Sequence, residues 1–145
     1  MLKERVEKIY DTFMLEFFRG IFSMVKEREG SLSAMEAFSV EVIHSLGEPT
    51  IGQFAEFLNI SQSNVTYKVN SLIRKGYIIK ENSETDRREY HLKLAEKYYQ
   101  YTNPMRESIG KLCNRLESTL SSAQLANMET LLQTIEDNLE SIAAQ

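Results

Sequence analysis

The chain has 145 residues, of which 42% are hydrophobic and 26% charged, with a single cysteine and a net charge of −4. That length suits one compact domain with a core of its own, and a lone cysteine excludes an intrachain disulfide, as expected in a reducing cytoplasm. The charge balance excludes a uniformly basic nucleic-acid binder, no secretory leader is expected in MLKERVEKIY, and no apolar run approaches the ~18 residues of a membrane span.

The first helix is expected over residues 4–29. Val6, Ile9, Tyr10, Phe13, Met14, Phe17, Ile21 and Val25 recur at steps of three and four, and Gly30 supplies a stop. Phe18, Phe22 and Met24 widen this surface, so the helix calls for partners on more than one side. Gly20 in its middle marks a close approach or a slight bend. The cluster Tyr10, Phe13, Met14 and Phe17 reads as core or interface, or as the lining of an effector pocket beside the second helix.

Ser33 starts the second helix, and Glu36 three residues later completes a capping box. Phe38, Val42, Ile43 and Leu46 are its inner face; Gly47 ends it and Pro49 prevents resumption. Thr50 and Gln53 repeat the box for a short third helix with Phe54, Ala55 and Leu58 inward. Ser61 caps a fourth helix that runs to about Lys75, with Gly76 as punctuation. Two short helices across a tight turn make a helix-turn-helix. Tyr77 to Lys80 and Glu89 to Leu94 then read as two strands around a polar loop, a hairpin wing. Residues 95–120 are helical again, kinked or divided at Pro104. Ser121 and Gln124 open a last helix carrying Leu125, Met128, Leu131, Leu132, Ile135, Leu139 and Ile142. The fold class is therefore mainly α with a small β-hairpin wing: a winged helix-turn-helix over residues 32–94, flanked by helices at 1–30 and 95–145, in one domain.

Charge is unevenly spread. Residues 31–60 hold four glutamates and no Lys or Arg, whereas residues 61–80 hold Lys68, Arg74, Lys75 and Lys80 and no acid. Screening makes such a local basic face effective on an acidic body. At 100° per residue, Val65, Val69, Leu72 and Ile73 face one side of the fourth helix. Ser63, Tyr67, Asn70 and Arg74 face the other, flanked by Gln62, Asn64, Thr66 and Lys68. Hydroxyls, amides, a phenol and cations are the groups that bond base edges and phosphates in a major groove. The helix N-terminus at Ser61 adds attraction for a phosphate. At the wing tip, Asp86-Arg87-Arg88 suggests a carboxylate that fixes the loop and a guanidinium free to reach a minor groove.

Enzyme chemistry has little support. No nucleophile is paired with a base, no glycine loop cradles phosphate, and His44, His91 and Cys113 form no metal-ligand spacing. No cofactor is implied. Cys113 lies on an apolar stripe of a late helix, which points to core packing rather than redox sensing.

Leu32-Ser33 through Leu94 resembles the MarR/SlyA family of winged-helix transcription regulators. The likeness is carried by Gly47-Glu48-Pro49-Thr50, Ser61 with Val65-Thr66, Leu72, Lys75-Gly76-Tyr77-Ile78 and Asp86-Arg87-Arg88. The resemblance implies a cytoplasmic homodimer whose first and last helices interlock. It implies repression by occupancy of a pseudo-palindromic operator in double-stranded DNA, with release by a small, often phenolic or lipophilic, effector or by oxidation of a cysteine. The family's Leu-Thr-x-x-Gly after the wing is replaced here by Leu94-Ala95-Glu96-Lys97-Tyr98. The alternative is a winged-helix protein-interaction module without DNA binding.

Overall fold

Side-chain caps set the starts of four helices. Ser33, Thr50 and Ser121 each accept from the backbone amide three residues on, and Glu36, Gln53 and Gln124 return the bond to the cap amide. Ser61 accepts from the Asn64 amide at 3.4 Å. Each cap satisfies donors that the first helical turn would otherwise leave unpaired. The computed structural model describes residues 1–25, 31–86, 88–100 and 104–144. In chain order the elements are α1 (Leu2–Met24), α2 (Ala34–Leu46), α3 (Ile51–Leu58), α4 (Gln62–Arg74), β1 (Ile78–Asn82), β2 (Tyr90–Leu94), α5 (Glu96–Gln100), α6 (Pro104–Thr119) and α7 (Ser122–Ala143). The last residues of the expected first helix, and Gly30 as its stop, fall outside the described residues.

Glycine ends the helices where the backbone turns left-handed. Gly47 has φ 68° and Gly76 φ 81°, values that a Cβ makes costly. Glu48 and Asn59 are also left-handed, at φ 56° and 53°. Pro104 opens α6, as its lack of an amide hydrogen favours; residues 101–103, where a kink or division of the stretch after the wing would fall, lie outside the described residues.

The chain forms two compact units, residues 1–105 and 106–145. In the first, α2, α3, α4 and the hairpin enclose a core. Val65, Val69 and Leu72 of α4 are fully buried with Ile43 of α2, Phe54 of α3 and Leu92 of β2. Burying side chains of this kind is worth about 1.5–3 kcal/mol each. Ile21 and Met24 bring the end of α1 onto the same cluster, Gly20 is buried beside them, and Tyr98 brings α5. The strands pair antiparallel, from Ile78 opposite Leu94 to Asn82 opposite Tyr90. The Leu92 amide also donates to the Pro49 carbonyl at 2.8 Å, and Thr50 bridges to His91. The turn between α2 and α3 thus serves as a third, one-residue strand of the wing.

Two packing expectations change. Leu46 is 38% exposed rather than inward, because it stands in the last turn of α2, next to the left-handed Gly47. Cys113 is exposed rather than packed in a core. In the second unit, Leu131, Leu132, Ile135, Leu139 and Ile142 of α7 are all exposed. Among the described residues, no helix is long and apolar enough to cross a membrane.

Candidate nucleic-acid interface

The outer face of α4 is open. Ser61, Gln62, Ser63, Asn64, Asn70 and Arg74 are exposed, Thr66 and Lys68 are half-buried, and Tyr67 has 75% of its surface in solvent. The face exists because Val65, Val69 and Leu72, on the opposite side of the helix, are fixed in the core. Some of its polar groups have local partners. Ser61 Oγ lies 3.1 Å from Ser63 Oγ, and Thr66 Oγ1 donates to the Gln62 carbonyl at 2.8 Å. Asn70 Oδ1 accepts from Lys80 Nζ at 3.4 Å, and that ammonium stands 5.7 Å from the centre of the Tyr90 ring. Lys80 therefore links the outer face of α4 to the wing. Its part in the cluster is absent from the helical wheel because it arrives from another element.

The wing tip is built by its own side chains. Asp86 Oδ1 accepts from the Arg88 amide at 2.9 Å, the turn-fixing role expected of it. Ser83 Oγ receives the Thr85 and Asp86 amides, and the Ser83 and Glu89 amides bond across the loop to Glu89 and Asp86 carbonyls. Asp86 and Arg88 are exposed. Arg87 lies outside the described residues.

Behind α4 sits a charged cluster that the linear sequence conceals. Glu36 Oε2 accepts from Lys75 Nζ at 2.7 Å, and Glu36 Oε1 from Ser71 Oγ at 2.7 Å. Burial alone would raise the Glu36 carboxyl, but donors from Lys75, the Ser33 amide and Ser71 outweigh it and lower the group to about 2. The ion pair is only 27% and 15% exposed on its two sides.

The proposed effector cluster is only partly assembled. A cavity of about 180 Å³ is lined by Phe17, Phe38, Glu41, Val42, Ser45, Leu46 and Phe57. Of the four residues considered from sequence, Phe17 lines it, with its ring 6.0 Å from that of Phe38. Phe13 and Met14 are half-buried elsewhere on α1, and Tyr10 is 61% exposed. Next to the cavity, Tyr98 Oη donates to the buried Glu41 Oε1 at 3.1 Å, and His44 stacks on the Tyr98 ring at 5.6 Å.

A capped helix-turn-helix followed by a two-stranded wing defines a winged-helix protein. Residues 32–90 match the family model described as MarR family. Two relatives in Bacillus subtilis (strain 168), both described as uncharacterized HTH-type transcriptional regulators, are similar over most of the chain. YpoP is 26% identical over 66% of this chain and 70% of its own length; YkoM is 24% identical over 68% of this chain and 64% of its own. The fold also resembles the crystal structure of Streptococcus pneumoniae FabT in complex with DNA. The TM-score is 0.59 at 24% identity, covering 98% of this chain and 99% of that one.

Proposed function

We propose that this chain is a cytoplasmic homodimeric repressor that binds a pseudo-palindromic operator in double-stranded DNA. The observation that carries the reading is the acid-free outer face of α4. It offers Gln62, Ser63, Asn64, Tyr67, Asn70 and Arg74 to solvent beside a wing whose tip carries Arg88. In this reading α4 enters the major groove and contacts base edges, while Lys68, Arg74 and the wing bond phosphates. The α4 N-terminus at Ser61 supplies a further phosphate site.

Dimerisation is supported by apolar surface that the single chain leaves uncovered. Val6, Ile9 and Leu15 of α1 and Leu131, Ile135 and Leu139 of α7 are each more than half exposed. Apolar surface on that scale marks an interface, and two copies covering each other's terminal helices would form a closed isologous dimer. The cavity beside Phe17 and Phe38 is the proposed site for a small lipophilic effector that lowers DNA affinity.

Titrating the purified protein against duplexes from its own upstream region tests the reading. Binding is expected to fall steeply with salt, and Arg74→Ala to reduce the log–log salt slope by about 1. Affinity insensitive to salt, or none at all, refutes DNA reading.

A further inference from the structure

The inference rests on the DNA-reading role proposed for α4 and concerns what aims that helix. Among the described residues there are three complete capping boxes, at Ser33, Thr50 and Ser121. Two of them use a glutamine, Gln53 or Gln124, to return the bond to the cap amide. A neutral amide oxygen is therefore enough for the capping task. Only Glu36 brings a negative charge, and its carboxylate also meets the end of α4. Ser71 and Lys75, one helical turn apart, donate to its two oxygens at 2.7 Å each. The same Lys75 ammonium donates to the Ser31 carbonyl at 2.9 Å. Lys97 Nζ, from α5, donates to the Lys75 carbonyl at 2.8 Å and stands 4.8 Å from the centre of the Tyr77 ring.

Three segments thus converge on one ion pair: the approach to α2, the exit of α4 and the start of α5. Charge-assisted bonds of this length are directional and stronger than neutral ones. Partial burial keeps water from replacing them. We propose that Glu36 and Lys75 are positioning residues for DNA recognition. They fix the angle of α4 against α2 and α5, and through it the separation at which two copies present their reading helices. Neither residue contacts DNA in this role.

The test uses the full chain with Glu36→Gln, which keeps the capping box, Lys75→Met, which removes the cation, and Lys75→Arg as the conservative replacement. Amide hydrogen exchange is measured without DNA, and each protein then selects from a randomised duplex library whose bound fraction is sequenced. Glu36→Gln and Lys75→Met are expected to speed exchange at the Ser71–Arg74 end of α4 by about tenfold while the Gln53-capped α3 keeps its protection. Their selected duplexes should retain the wild-type half-site but lose its preferred spacing, and Lys75→Arg should restore both. Wild-type exchange and spacing in Glu36→Gln overturn the proposal. So does uniform acceleration throughout the chain, which would mark a merely structural pair. If the wild type enriches no duplex, DNA reading fails and the positioning role with it. The exchange data then show separately whether the clamp itself exists.

Discussion

Lys80 Nζ and Asn70 Oδ1 meet at 3.4 Å, across the gap between the wing and α4. A lysine ammonium can only donate, so this contact takes the oxygen of the Asn70 amide and leaves its NH2 for an acceptor. Phosphate oxygens and the purine N7 are such acceptors. Asn70→Asp keeps a partner for Lys80 but replaces the donor by an anion. It is expected to weaken DNA binding at least about tenfold, the scale of one good polar contact plus repulsion. Fluorescence anisotropy at fixed salt measures it; an unchanged affinity would remove Asn70 from the interface.

The exposed stripe on α7 makes a second prediction. Leu132 and Ile135 are 49% and 52% exposed in the single chain. If a second copy covers them, Leu132→Glu or Ile135→Glu buries a carboxylate against apolar surface, at a cost of several kcal/mol. Sedimentation velocity should then show a shift from dimer to monomer, with the helical content of the winged-helix unit retained. A dimer of undiminished stability in both variants would place the interface elsewhere.

Tyr98 and Glu41 provide a third. Both are buried, and the phenol donates to the carboxylate at 3.1 Å. Tyr98→Phe preserves the ring stacked on His44 but takes one donor from a buried acceptor, which costs about 1–3 kcal/mol. Thermal unfolding should report a lowered Tm, and Tyr98→Ala, which also leaves a cavity, should fall further.

The Glu36 carboxyl sets a fourth. Its folded-state value, about 2, lies below its unfolded one. Its stabilisation is therefore fully present above the unfolded value and is lost as pH falls through about 2. The contribution is on the order of 3 kcal/mol. Denaturant unfolding of wild type between about pH 5 and about pH 2 should show this loss, and Glu36→Gln should show a shallower one. Parallel curves would mean that the carboxyl is not held by Lys75 and Ser71 in solution.

Local chemistry made much of the fold legible. The boxes at Ser33, Thr50 and Ser121 and the cap at Ser61 depend on residues three apart, so a linear reading finds them. The buried and exposed faces of α4 follow from helical period alone, and Ile73, at the edge of the apolar arc, is only half-buried. Contacts that join distant segments carry no such signal. Glu36 and Lys75 are 39 residues apart, and each already had a local explanation, as a box partner and as the end of a helix. Phe57, on the cavity rim, interrupts no pattern and was missed for that reason. Leu46 and Cys113 misled because periodicity shows which face a residue shares, not whether any neighbour covers that face.

The hairpin does not hang from the domain by its strands alone. His91 Nδ1 lies 2.9 Å from the Glu48 carbonyl, the Leu92 amide bonds the Pro49 carbonyl, and Thr50, which they adjoin, is also the cap of α3. Wing and helix-turn-helix therefore form a caliper with a fixed jaw. Under the proposed DNA reading, a duplex whose grooves do not match that gap would have to bend or change groove width to meet it. Stiffness in the DNA between the contacted bases would then influence affinity at positions that no side chain touches.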